Sequence, residues 1–366
     1  MNGLKKKSQK MKLEEFGYHD GIERLRRNND LQDFEIGRVI AEHKERYIVR
    51  TERGETEAEI TGNLRFSAQN RADFPAVGDW VALISHDPDF AIIHKVLPRL
   101  SSLSRQAPGQ YGEEQIIAAN IDYALLVQAA DRDFNVNRLE RYLTICYASK
   151  VSPLVVLTKI DLIGHEIRAE RLHSLRGRLK DIPVFVISNE TKEGYGELKS
   201  IIQKGKTYCL LGSSGVGKST LMNNLSGKNI MRTDTISNST QKGRHITSHR
   251  ELIVLEEGGI LIDNPGMREV GVVDLSDGLE TTFEKIVRVA ENCRFKDCTH
   301  TQEKGCAVID AVEKGEIDKK TYENYLKMER EKAYFEQSVS ERRKKDKDFG
   351  KMVKNMKNDI HKLGKR

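Results

Sequence analysis

Gly212-Ser213-Ser214-Gly215-Val216-Gly217-Lys218-Ser219 has the residue types and spacing of a phosphate-binding loop. Its glycines let backbone N–H groups converge on phosphate oxygens, and the N-terminus of the helix that follows adds positive potential there. Lys218 is placed to reach the β- and γ-phosphates, and Ser219, followed by Thr220, offers a hydroxyl to Mg²⁺. Choice of base falls to another turn, Thr158-Lys159-Ile160-Asp161. A carboxylate at Asp161 can accept from both the N1–H and the 2-amino group of guanine, a pair of donors that adenine does not present. The stem of Lys159 would pack along the base. Asp263-Asn264-Pro265-Gly266 supplies a third element, with Asp263 holding Mg²⁺ through water and the Gly266 N–H meeting the γ-phosphate.

A separate chemistry lies further on. Cys293, Cys298, His300 and Cys306 fall within fourteen residues. Three thiolates and one imidazole complete a tetrahedral zinc site with no open position, so one structural Zn²⁺ per chain is expected. Cys146 and Cys209 stand in a helix pattern and a strand pattern, where core packing is their expected role.

These groups need a scaffold. Apolar runs at Ile121–Val127, Pro153–Leu157, Pro183–Ile187 and Thr207–Leu211 alternate with helix patterns, which predicts a parallel α/β sheet with ligands at the strand C-termini. Thr158–Asp161 and Ser188-Asn189 both sit at such ends, and the phosphate loop follows the fourth run. The first helix is expected from Asn137, capped by Asn135 or Asn137. Glu251–Leu255 and Ile260–Ile262, joined through Gly258-Gly259, predict a hairpin ending at Asp263. Between loop and hairpin runs a polar stretch with His245 and Thr247, long enough to be functional.

Upstream, Phe34–Ile40, Tyr47–Arg50, Glu57–Ile60, Trp80–Ile84 and Phe90–Val96 alternate with period two. Five short strands predict a small closed barrel, an OB-fold, with an SH3-like barrel as the structural competitor. Arg65, Arg71, Lys95, Arg99 and Arg105 are candidate phosphate contacts for an RNA partner. Pro98–Gln115 reads as a polar connector, and residues before 30 as a floppy or partly helical arm. Helices are expected near Leu279–Ala290, Ala307–Val312 and Tyr322–Tyr334, followed by a basic stretch with an amphipathic stripe. The expected division is a basic extension at 1–33, the barrel at 34–105, a nucleotide domain at 106–278, a zinc-binding helical domain at 279–335 and a basic tail at 336–366.

Charge agrees with a polyanion partner. The chain of 366 residues carries +6, yet residues 1–12 hold five lysines and no acid, and residues 341–366 hold eleven basic and four acidic residues. The body between them is therefore mildly acidic, and the basic ends favour RNA over membrane. No apolar run is long enough to span a bilayer, no apolar segment of a secretory signal follows the basic start, and the clustered thiols suit a reducing compartment. A cytoplasmic location is expected.

The order of the motifs is the distinctive feature: T-K-x-D first, then the phosphate loop, then the switch stretch, then D-x-P-G. Ordinary GTPases begin with the phosphate loop. This circular permutation, behind a small barrel and ahead of a Cys/His cluster, resembles the bacterial RsgA (YjeQ/YloQ) family. The resemblance implies a GTPase that binds the small (30S) ribosomal subunit and its 16S rRNA, hydrolyses GTP to GDP and phosphate late in subunit maturation, and acts as a monomer. It implies guanine recognition by Thr158, Lys159 and Asp161, nucleotide contacts from Gly212 through Thr220, zinc at the four Cys/His positions, and Thr247 as the switch threonine on Mg²⁺. The residue after D-x-P-G is Met267, which cannot orient water, and the resemblance nominates His245 for that task. The same residues also fit a non-catalytic RNA-binding maturation factor that uses nucleotide only as a conformational ligand. An ATPase requires that Thr158–Asp161 not read the base.

Overall fold

The computed structural model describes residues 12–43, 46–87, 89–106, 114–179, 181–227, 251–263 and 276–336. It opens with a short 3-10 turn, Leu13–Phe16, and helix α1 (Asp20–Asn28). Strands β1 (Glu35–His43), β2 (Arg46–Thr51) and β3 (Gly54–Ile60) follow, then helix α2 (Gly62–Ser67), then β4 (Trp80–Asp87) and β5 (Phe90–Val96). Antiparallel pairs β1–β2, β2–β3, β4–β5 and β1–β4 are joined by one parallel pair, β3–β5, so the ring closes on itself. That is the OB-fold order, not an SH3-like one. Alternate residues point inward, and Val39, Val49, Leu83, Ala91 and Ile93 fill the interior.

The segment expected to be a loose arm is packed from its first described residues. Leu13, Phe16, Ile22 and Leu31 are buried in the central core. Buried Arg38 of β1 fixes it there: its guanidinium donates to the carbonyls of Phe16, Gly78 and Asn120 and lies 5.6 Å from the centre of the Trp80 ring. Burial pulls this guanidinium down to about 10. The expected connector also carries structure, an antiparallel ribbon of β6 (Ser102–Gln106) and β7 (Glu114–Ala119).

The second unit comprises β8 (Tyr123–Ala129), α3 (Val136–Ala148), β9 (Ser152–Thr158), α4 (His165–Arg178), β10 (Val184–Val186), α5 (Tyr195–Ser200), β11 (Thr207–Leu211), α6 (Lys218–Ser226), β12 (Glu251–Val254) and β13 (Ile260–Asp263). The sheet runs β10-β9-β8-β11-β13-β12 and is parallel except for β12, the first arm of the predicted hairpin. Both faces are covered, so strand residues alternate between two cores. Ala124, Leu126, Cys209 and Leu211 enter one, while Leu125, Val127, Tyr208 and Leu210 enter the other. Cys146 shares the first core, as expected, and burial pushes the Cys209 thiol up to about 12. Asn135 is the cap of α3, its carboxamide oxygen accepting from the Arg138 N–H. Strand β12 pairs with β1 at Ala41 opposite Glu251, which makes barrel and nucleotide unit one continuous sheet.

Helices α7 (Ser276–Thr282), α8 (Glu284–Ala290), α9 (Ala307–Glu313) and α10 (Lys319–Glu336) form the last unit. The single helix expected over Leu279–Ala290 is broken at Phe283, whose ring packs edge-on against Tyr325 in the core of this unit. Among the described residues no helix is long and apolar enough to cross a membrane.

Candidate functional site

The phosphate loop leaves the end of β11 beside the end of β8. Gly212 is pressed against β8, where a Cβ would stand 2.4 Å from the Val127 carbonyl oxygen, so only glycine fits. Gly217 has φ +93°, and a Cβ there would lie 2.5 Å from the Asn189 amide nitrogen. Lys218 opens α6 and turns its ammonium back across the loop, donating to the carbonyls of Gly212 and Ser213 at 2.6 Å each. Ser214 and Gly215 are exposed at the crown, and Ser219 and Thr220 are half-buried in the first turn of α6.

Thr158 and Asn189 tie this loop to the two strand ends expected to read the base. Buried Thr158 donates its hydroxyl to the Val216 carbonyl at 2.7 Å. Asn189 donates to the Gly217 carbonyl at 3.0 Å. A threonine at the first position of the T-K-x-D turn therefore bonds the loop backbone directly. Lys159 takes a left-handed backbone (φ +61°) and pairs with Asp131 at 3.3 Å, which lays its stem along the turn. Buried Ile160 anchors the turn, and Asp161 is exposed, with one carboxylate oxygen accepting from the Ser188 hydroxyl at 2.6 Å. Ser188 also accepts from the N–H groups of Glu190 and Thr191. Tyr195 donates to the Asn189 side-chain oxygen at 2.6 Å, and burial pushes its hydroxyl up to about 12, so it remains a donor.

The structure thus gathers Thr158–Asp161, Ser188, Asn189 and Gly212–Thr220 at one edge of the sheet. Asp263 ends β13, the strand beside β11. His245, Thr247, Gly266 and Met267 lie outside the described residues. Several groups at this edge escaped sequence reasoning. Asp131 holds Lys159, Tyr195 and Asn224 hold the Asn189 loop, and Arg138 donates from α3 to the Ser213 hydroxyl at 3.0 Å. Arg138 stands in the first turn of α3, a readable position, but its partner is 75 residues away.

The four Cys/His residues meet as predicted, with their ligand atoms all within 4.8 Å of one another. The sulfurs of Cys293 and Cys306 are 3.9 Å apart, and each lies 3.5 Å from His300 Nδ1. A tetrahedron with Zn–S bonds of ~2.3 Å has sulfurs ~3.8 Å apart, so this donor set fits zinc. Burial holds the His300 imidazole below its ordinary range, which favours the neutral, coordinating ring. Glu303 shapes the loop by accepting from the N–H groups of Thr299, Thr301 and Gln302 and from the Thr299 hydroxyl. Those bonds keep its carboxyl well below the usual range.

The barrel's candidate phosphate contacts divide. Arg99 is a structural residue: its Nε and Nη2 donate to the two oxygens of buried Asp79, and Nη1 and Nη2 donate to the carbonyls of Ala72 and Phe74. Arg105 donates to Gln115 across the β6–β7 ribbon. Arg65, Arg71 and Lys95 are exposed, and Phe66 beside Arg65 is 95% exposed.

Comparison with known proteins is consistent with this geometry. The RsgA GTPase family model matches residues 96–273. An ABC transporter model matches residues 195–359, a span that holds the phosphate loop but not Thr158–Asp161. The small ribosomal subunit biogenesis GTPase RsgA 1 of Bacteroides thetaiotaomicron is 40% identical over 343 residues, covering 93% of this chain and 96% of that protein. RsgA 2 of Listeria monocytogenes is 44% identical over 303 residues, covering 81% of this chain and 84% of that protein. Two solved structures have the same fold at a TM-score of 0.61. YjeQ from Thermotoga maritima is 26% identical over 82% of this chain and 98% of its own. YloQ, described as a circularly permuted GTPase, is 25% identical over 84% of this chain and 98% of its own.

Proposed function

The chain belongs to the RsgA GTPase family, and from that premise we propose how its residues divide the work of a GTP hydrolase in small ribosomal subunit biogenesis. The observation that carries the assignment is the pair of bonds, Thr158 to Val216 and Asn189 to Gly217, that fix the base-reading turns against the phosphate loop. Base and phosphates of one nucleotide then fall in register with two rigid grips.

Asp161 reads guanine, and its bond from Ser188 aims the carboxylate. Lys159 covers the base. The backbone of Gly212–Gly217 and the start of α6 cradle the phosphates, and Lys218 exchanges its two loop carbonyls for phosphate oxygens. Ser219, Thr247 and Asp263 would hold Mg²⁺, which neutralises charge on the phosphates when bound. Gly266 meets the γ-phosphate, and His245 positions the attacking water in place of a glutamine, since Met267 has no group to do so. Zn²⁺ on Cys293, Cys298, His300 and Cys306 staples the helical unit.

The partner is the small subunit and its 16S rRNA. Exposed Arg65, Phe66 and Arg71 on the barrel and the basic ends of the chain offer the cations and the ring that RNA phosphates and bases use. We place the protein in the cytoplasm as a monomer. Strand β13 leads from the nucleotide toward α7, so ordering of the switch segments by GTP would shift the helical unit on its RNA. GTP turnover measured with and without purified small subunits tests this. Strong stimulation is expected, and unchanged turnover together with equal subunit affinity of the GTP and GDP forms would reject it.

A further inference from the structure

Helix α3 has two polar faces with different partners. Its apolar positions, Leu139, Tyr142, Leu143, Ile145 and Cys146, enter the core. Asn137, Glu140, Arg141 and Thr144 recur at the three- and four-residue spacing of a helix side and meet the helical unit. The Asn324 amide donates to the Asn137 carbonyl at 3.3 Å and to the Glu140 carboxylate at 2.7 Å. Arg141 pairs with Glu331, and the hydroxyls of Thr144 and Thr282 are 3.0 Å apart. Gly278 of α7 sits so close that a Cβ would be 2.1 Å from the Thr144 carbonyl oxygen. From the first turn of the same helix, Arg138 reaches the other way, to the hydroxyl of Ser213.

Ser213 is no bystander in the phosphate loop, since its carbonyl is one of the two that hold the Lys218 ammonium. Arg138 therefore fixes the residue on which the lysine rests. Six residues of helix, a rise of ~9 Å, separate Arg138 from Thr144, too short a rod to flex appreciably. We propose that Arg138 is a positioning residue for the phosphate loop, and that the helical unit sets its position by gripping α3 one to two turns further on. This path is independent of the chain connection between β13 and α7. It rests on the nucleotide assignment of Gly212–Ser219 made above. Two discrete seats of the helical unit would then correspond to two affinities for nucleotide, the coupling a contiguous packed network can carry.

The test is titration of the full chain with a fluorescent GTP analogue, alongside thermal unfolding to verify the fold. Arg138→Ala is expected to weaken binding roughly fivefold, the worth of one ordinary hydrogen bond at a half-exposed site, and Arg138→Lys to recover most of that. The pair Thr282→Val and Glu331→Ala, on the helical unit alone, is expected to weaken binding about threefold when Arg138 is present and not at all in Arg138→Ala, the non-additivity that marks coupled residues. A merely structural role would instead give equal factors in both backgrounds, and that result overturns the proposal. Unchanged binding by Arg138→Ala also overturns it while leaving the nucleotide assignment standing. Absence of binding by the unaltered chain overturns both.

Discussion

Replacing Arg178 by leucine strands a carboxylate inside the protein. Glu140 is 2% exposed and is held by Arg178 of α4 through two bonds, 3.0 Å to one oxygen and 2.6 Å to the other, with Asn324 of α10 as the only other side-chain donor described. Arg178 also donates to the Asn137 side chain at 2.6 Å. Two unit charges ~4 Å apart at an effective dielectric constant of ~20 attract by ~4 kcal/mol. Breaking one side of a buried pair costs about 3–5 kcal/mol because the remaining charge stays buried without its partner. We expect a loss of about 3 kcal/mol at pH 7, somewhat under the Coulomb figure because leucine keeps part of the buried stem. At ~1.3 °C per kcal/mol for a cooperative unit of this length, the melting temperature should drop by roughly 4 °C. The pH dependence has a fixed sign. Burial already raises the Glu140 carboxyl above its ordinary range against the pull of Arg178, and without that cation the rise is larger. The folded variant then keeps a proton that the unfolded chain releases, so its stability falls as pH rises through that window. Its deficit against wild type should widen from pH 5 to pH 7. The double variant Arg178→Leu/Glu140→Leu removes both charges and should return to within ~1 kcal/mol of wild type. A double variant as unstable as the single, or a deficit equal at the two pH values, would refute this account of the pair.

Three further outcomes follow from the site. Asp161→Asn should cost GTP roughly 100-fold in affinity and favour xanthosine triphosphate, whose base presents the complementary groups; an unchanged GTP preference in competition binding would remove Asp161 from base recognition. Gly217→Ala forces a side chain into a left-handed backbone and against the Asn189 amide, so nucleotide binding should weaken by about 1–3 kcal/mol in equilibrium titration while zinc content is unaffected. His245→Ala should lower single-turnover hydrolysis by about 10²-fold or more and spare GTP affinity, and normal hydrolysis would end its assignment.

What was legible in the sequence was local. The phosphate loop, the T-K-x-D turn and the Cys/His cluster are each defined within four to fourteen residues, and the five barrel strands announce themselves by alternation. The Asn135 cap follows the same rule, since its partner is three residues away. What escaped was carried by distant pairs. Arg99 looked like a free cation for phosphate, yet buried Asp79 twenty residues earlier claims it. Arg138 and Ser213, Arg141 and Glu331, and Phe16 and Arg38 meet only after the chain has folded. The packing of the arm before β1 is not legible because single apolar residues, Leu13, Phe16 and Ile22, show no period until the core that receives them exists. The ribbon of β6 and β7 lay hidden because its buried residues, Leu103 and Ile116–Ala119, flank a polar stretch and show no two-residue alternation.

The pairing of Ala41 with Glu251 has a consequence for solubility. An open sheet ends in two rows of unsatisfied backbone groups, each a template for pairing with another molecule. One end of the GTPase sheet is β10, which at three residues is too short to recruit a neighbour. The other end is β12, and there the barrel supplies the next strand. Trp80 and Ile36 of the barrel share one core with Ile260 and Ile262 of the GTPase unit. The barrel is thus the lid on an edge that would otherwise invite self-association, and a GTPase unit cut free of it should aggregate before it loses its nucleotide site.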